Sequence, residues 1–154
     1  MTRKAPTFGN AAPLLADCIA ALGSDGFTAS LERLLQRQLA FSEMMVLAYA
    51  GEAPPHLLHK AGLSPAAEET LPEYLSTAYV MDPVYTAHLA GGYSGFHLLR
   101  QLAPDRFRTS SYYQSYYNRT GHSDEMALFI PSGPGQTRVL SLFREDGNRA
   151  RFTK

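Results

Sequence analysis

The sequence has one cysteine, no tryptophan, no net charge and no long apolar run, and each shortage removes a class of protein. A single cysteine, Cys18, leaves no disulfide framework and fits a reducing compartment. Fourteen basic side chains balance fourteen acidic ones, so the chain has no overall field with which to hold nucleic acid. The longest uninterrupted apolar run, Met44 to Ala50, is far short of the roughly 20 residues that span a bilayer. The first residues, Met1 to Asn10, are polar and lack an apolar signal core. The expectation is a cytoplasmic α+β domain with no membrane segment. At 154 residues it is long enough to bury about 70% of its unfolded surface in one core without staples.

What is present is unevenly spread. Eight of the nine tyrosines lie between Tyr74 and Tyr117. Residues 61 to 99 hold four acidic groups and no Lys or Arg. From Arg138 onward the chain is basic, with five Lys or Arg against Glu145 and Asp146.

The apolar spacing predicts the elements. Asn10 caps a first helix with Leu14, Leu15, Cys18, Ile19 and Leu22 on one stripe, stopped by Gly23. Asp25 opens a second, with Phe27, Leu31, Leu34, Leu35 and Leu39 on one face. Residues 42–49 are apolar on both alternating sets and read as a strand buried on both faces, Met45, Leu47 and Tyr49 pointing one way. A turn at 51–55 leads into a shorter strand over 56–60. Ser64-Pro65, the Thr70-Leu71-Pro72-Glu73 capping box and Asp82-Pro83 predict three short helices across 64–90, ended by Gly91-Gly92. A strand is expected over 95–102. A helix follows from Ser111 to Gly121, then two strands at about 123–131 and 137–144 joined by a five-residue hairpin loop. The order implies an antiparallel sheet of five to six strands with helices on both faces.

Chemistry-bearing motifs are sparse. His56 and His59 would share a helix face but point to opposite faces of a strand, so no metal is expected there. Ser94 lacks the second glycine of a nucleophile elbow, because residue 96 is Phe. Gly133-Pro134-Gly135 lacks both the Lys of a phosphate loop and the helix of a dinucleotide fingerprint, so no cofactor is expected. Asp124 and Glu125 are adjacent and face opposite ways on a strand, suited to separate partners and not to shared acid–base work. An enzyme would need His97, His122 and Asp124 to converge in one cleft, and no catalytic residue is assigned. Tyr112, Tyr113, Tyr116 and Tyr117 form i,i+4 pairs that coat over a third of a helix. They suit either core packing or the wall of an organic-ligand pocket.

The stretch Leu102-Ala103-Pro104-Asp105, Ser111-Tyr112-Tyr113, Tyr116-Tyr117, Thr120-Gly121, Asp124-Glu125, together with Met81-Asp82-Pro83-Val84-Tyr85, resembles the N-terminal sensor half of bacterial LuxR-type helix-turn-helix transcriptional regulators of the GAF-like or PAS-like subgroup. The resemblance implies a central antiparallel sheet covered by helices, with a small-molecule cavity between them. Those regulators continue into a helix-turn-helix domain, whose pattern is not read up to Lys154; the expectation is either an excised sensor domain or a protein that lacks the output half, with DNA reached only through a helix-turn-helix domain not in this chain. Residues 1–9 are expected to be a flexible N-terminus and 10–154 a single sensor domain. On this basis Met45 and Leu47 form a pocket floor, and Tyr74, Tyr85, Phe96, Tyr113 and Tyr117 its walls. The expected partners are a small organic ligand and a second copy of the chain. The competing expectation is a dimerisation module that binds nothing small.

Overall fold

A computed structural model describes residues 11–145 and 151–153, so the expected Asn10 cap and the 1–9 segment lie outside the described residues. The chain divides into two compact units, Met1–Ala40 and Phe41–Lys154.

In the first unit, helices α1 (Ala12–Ala20) and α2 (Phe27–Gln38) pack on each other. Cys18 is buried and free, whereas Leu15, Ile19 and Leu22 stand exposed. Gly26, not Asp25, occupies the N-cap of α2, and no side chain caps it.

The second unit is built on an antiparallel sheet ordered β2-β1-β5-β4-β3, from β1 (Glu43–Ala50), β2 (His56–Ala61), β3 (Gly95–Leu98), β4 (His122–Gly133) and β5 (Gln136–Glu145). The period-two reading of β1 holds. Met45, Leu47 and Tyr49 share one face with Glu125, Ala127 and Phe129 of β4 and Val139, Ser141 and Phe143 of β5. Helices α3 (Pro65–Ser76), α4 (Pro83–Ala90), α5 (Leu99–Leu102) and α6 (Ser111–Ser115) cover that face. Their Tyr74, Tyr79, Val84, Tyr85, Leu99 and Tyr112 make one core with Leu47, Tyr49, Phe129 and Val139. The opposite face carries Met44, Met126, Leu140 and Leu142, also buried.

Several local expectations are corrected. No helix starts at Thr70: α3 runs unbroken through Pro72, and the Thr70 hydroxyl bonds back to the Ala66 carbonyl. The predicted strand over 95–102 stops at Leu98, where the Gln101 side chain accepts the Leu98 N–H and starts α5. Ser110, not Ser111, caps α6, which ends at Ser115; Tyr116 and Tyr117 lie in the tighter turns that follow. The five-residue hairpin loop shrinks to Pro134-Gly135, because Gly133 already pairs with Gln136. A β-bulge also changes the histidine geometry. His56 pairs with Ala48 and His59 with Val46, so the irregularity in this ladder brings both to one side of β2.

Gly62 joins β2 to α3 with φ +70°, and a Cβ there would lie 2.5 Å from the Ser42 carbonyl oxygen. Gly62→Ala is expected to cost at least about 1–2 kcal/mol for the left-handed backbone alone. Gly51→Ala, also at positive φ but facing open space, should cost less. Urea melts of the two variants check the order.

Candidate functional site

The inward sides of β1, β4 and β5 supply a floor of Met45, Leu47, Tyr49, His122, Glu125, Ser141 and Phe143. The covering segments supply Tyr74, Asp82, Val84, Tyr112, Tyr116, Tyr117 and Thr120. Between them lies a cavity of about 20 Å³, room for about one water molecule.

Its polar groups are ordered into chains. Asp82 caps α4 by accepting the Val84 N–H at 2.8 Å, as the Asp82-Pro83 pair predicts. The other Asp82 oxygen accepts the Tyr74 hydroxyl at 2.6 Å, and the Tyr49 and Tyr74 hydroxyls are 2.7 Å apart. Tyr74 has one proton and gives it to Asp82, so Tyr49 is the donor in the second bond. Burial pushes the Asp82 carboxyl up to about 6, against the pull of hydrogen bonds from Tyr74, the Val84 N–H and Tyr112. Glu125 accepts the Ser141 hydroxyl at 2.9 Å. Burial, and then the Asp82 charge, hold Glu125 well above the usual carboxylate range. Burial likewise raises the phenols of Tyr49, Tyr74, Tyr112 and Tyr117, so they act as neutral hydrogen-bonding groups. The Tyr117 hydroxyl is buried and has no hydrogen-bond partner among the described residues.

At one end, His122 Nε2–H donates to Glu43 Oε2 at 2.7 Å, with both side chains out of solvent. Glu43 also accepts the Ser64 N–H at 3.2 Å, at the start of α3. Burial acts to raise Glu43, but the His122 bond, the His122 charge and Ser64 outweigh it, and its carboxyl lies below the ordinary value.

Of the residues expected from sequence, Met45, Leu47, Tyr74 and Tyr117 line this cavity. Tyr85 is buried beside it in the core, with its hydroxyl donating to the Glu52 carbonyl. Tyr113 faces a separate open cleft. Phe96 sits on edge strand β3, paired with Leu128 and 40% exposed, away from the lining. Sequence reasoning missed Tyr49, although it lies two residues beyond Leu47 on the same alternating set. Asp82 was read only as a cap. Glu125 and Asp124 do face opposite ways: Glu125 points inward, and Asp124 bonds to Arg100 and the Phe152 N–H. His122 bonds to Glu43, Asp124 to Arg100 and His97 to the Ser94 carbonyl; His122 and Asp124 border one open cleft, whose lining does not include His97. Among the described residues, no group of three or more His, Cys, Asp or Glu side chains could hold a metal, and no helix is long and apolar enough to cross a membrane.

No protein-family model matches the sequence, and no curated protein matches it. Solved structures do. The ligand-binding domain of VqsR from Pseudomonas aeruginosa superposes with a TM-score of 0.76 at 23% identity, over 90% of this chain and 82% of that one. SdiA from Escherichia coli superposes with a TM-score of 0.63 at 12% identity, over 96% of this chain and 59% of that one. Both are LuxR-type regulators. The chain has the α+β fold of the LuxR-type ligand-binding domain, a five-strand antiparallel sheet with helices.

Proposed function

We propose that the chain is the ligand-sensing domain of a LuxR-type transcriptional regulator, binding a small organic molecule between the sheet and helices α3–α6. It acts without catalysis, in the cytoplasm, as a single regulatory domain, and reaches DNA through a helix-turn-helix domain outside this sequence. The observation that carries the reading is the cavity itself. Five tyrosines converge on it, and the buried hydroxyl of one of them, Tyr117, has no hydrogen-bond partner among the described residues. An unpaired buried hydroxyl costs free energy that a ligand acceptor or donor would recover.

A molecule larger than one water must lift the covering helices or re-pack the tyrosines. That coupling is the signalling device: a ligand stabilises the opened state only to the extent that it prefers it. The opened state then changes dimer contacts or the terminal segments. Leu15 and Ile19 stand exposed one turn apart on α1, with exposed Leu22 in the turn that follows, an apolar strip that suits a contact with a second copy.

Native mass spectrometry of the purified protein should show a retained small molecule. The retained molecule, added back at about a hundred times its Kd, should stabilise the fold by about 2.7 kcal/mol, a rise in Tm of about 5–10 °C. Protein that carries nothing, and whose Tm no added metabolite extract moves, would remove the reading. The small size of the cavity favours the competing dimerisation module. A protein that is dimeric at micromolar concentration and carries no ligand supports that alternative; a strict monomer eliminates it.

A further inference from the structure

A second concavity lies outside the sheet–helix cavity. It is an open cleft of about 530 Å³, between α5, the 103–109 segment, α6 and the start of β4. That size accommodates a drug-sized molecule. Its lining differs in kind from the cavity. Arg100, Arg106, Arg108 and Arg151 border it, with Asp105 and Asp124 as the acidic groups. Asp124 is committed to Arg100 at 3.3 Å and to the Phe152 N–H at 2.7 Å. Arg100 also donates to the Phe152 carbonyl. Among the described lining residues, Arg106, Arg108 and Arg151 have Asp105 as the one acidic group not already committed, a local excess of positive charge in a chain whose net charge is zero.

The segment that carries two of these arginines is pinned from several sides. Thr109 Oγ1 donates to the Arg106 carbonyl at 2.9 Å, Ser110 Oγ to the Phe107 carbonyl at 2.6 Å, and Gln114 Nε2 to the Arg108 carbonyl at 2.6 Å. Their backbone is therefore held in place before any ligand arrives. Phe107 forms an aromatic wall, edge-on to Tyr113 at 5.5 Å and to Tyr117 at 5.4 Å between ring centroids. Tyr117 lines this cleft as well as the inner cavity, and its buried hydroxyl is unpaired among the described residues.

We propose that this cleft binds a small molecule that joins an anionic group, a carboxylate, phosphate or sulfonate, to an aromatic body. The guanidinium forks of Arg106 and Arg108 take the anion, with Arg151 adding charge. The aromatic body lies against Phe107 and Tyr113. The site adjoins the sheet–helix cavity, with Tyr117 and His122 lining both, but its anion chemistry lies with the arginines and does not depend on that cavity having a ligand.

The probe is 1-anilinonaphthalene-8-sulfonate, an aromatic sulfonate whose fluorescence reports binding, titrated beside N-phenyl-1-naphthylamine, the same ring system without the anion. The sulfonate should bind saturably. R106Q/R108Q should weaken it about tenfold or more, since charge-assisted hydrogen bonds are lost, and should leave the neutral probe unchanged. D105N, which removes the competing carboxylate, should tighten the sulfonate. Both substitutions are at exposed positions; if R106Q/R108Q fails to fold, R151Q and D105N carry the test with opposite signs. Sulfonate binding that is indifferent to the arginines, as it would be for a probe lodged in the inner cavity, overturns the proposal. So does an equal loss of the neutral probe, or no saturable sulfonate binding.

Discussion

Glu43→Ala is expected to cost about 3–5 kcal/mol of unfolding free energy in urea melts near pH 7, because it removes the buried carboxylate that accepts from both His122 and Ser64 and leaves two donors without their acceptor. Glu43 and His122 are 0% and 4% exposed at their side chains, and no solvent is available to replace either partner. The alanine leaves the His122 Nε2–H without its acceptor, and it also strips the Ser64 N–H at the start of α3 of the carboxylate it donates to. His122 cannot swing out to recover water, since its ring stacks on Phe143 at 4.0 Å between centroids. Against a typical total of about 5–15 kcal/mol, the loss brings the fold close to its threshold. Glu43→Gln separates charge from geometry. Its amide oxygen can still accept one of the two N–H groups, so the cost should be smaller. The remaining gap to wild type should also depend on pH in a defined sense. The Glu43 carboxyl is depressed in the fold, so its contribution is present above the unfolded carboxylate value and is lost as pH falls through the folded one. The wild-type advantage over Glu43→Gln should therefore narrow below about pH 4.5. A Glu43→Ala variant within about 1 kcal/mol of wild type would show that the pair is not the anchor between β1, β4 and α3 that its geometry indicates.

That anchor marks where sequence reading ends. The strands were legible because their alternation is a local property: Met45, Leu47 and Tyr49 can occupy one face only if the chain is extended, and the Asp82-Pro83 signal needs only its own neighbours. Glu43 and His122 lie 79 residues apart. Nothing within either segment announces the other, and their meeting depends on the β1–β5–β4 order. The edge at Leu98 was missed for a different reason. Leu98, Leu99 and Leu102 fit a strand end and a helix start equally well, and the choice is made by the Gln101 side chain returning to the Leu98 N–H. Phe96 was placed in a pocket because it is aromatic and near the tyrosines in sequence, yet pairing with Leu128 turns it to the other side of the sheet. The histidines of β2 were set on opposite faces by a strict period of two, and one bulge undid that arithmetic. The cavity acids were hidden by sufficiency. Asp82 had a complete local explanation as a cap, and only the fold shows its second oxygen receiving Tyr74.

Asp82→Asn is expected to make the fold more stable than wild type above about pH 7, which is unusual for removing a buried, fully bonded carboxylate. The Asp82 carboxyl is raised from 3.8 to about 6. A raised value means that the fold prefers the protonated form, so the associated stability is fully present below the unfolded value and is lost as pH rises through about 6. Two units correspond to about 3 kcal/mol between the two ends of that window. Glu125 is raised in the same direction, by burial and by the Asp82 charge, so wild type should lose stability between pH 5 and pH 8. The opposite contribution of Glu43 falls below this window. Asparagine is neutral at every pH and keeps the geometry. Its carbonyl oxygen can accept the Val84 N–H and preserve the α4 cap. Its NH₂ must then donate toward Tyr74, which reverses the chain: Tyr74 gives its proton to Tyr49, where in wild type with Asp82 ionised Tyr49 gives its proton to Tyr74. Urea midpoints at pH 5 and pH 8 should show a reduced difference for Asp82→Asn and the smallest for the double variant with Glu125→Gln. Equal stability of wild type at the two pH values would refute the assignment of both acids as protonated in the fold at low pH. The same reversal is expected in wild type when Asp82 takes up a proton on the oxygen facing Tyr74, and the Tyr49 hydroxyl at the sheet floor then changes from donor to acceptor.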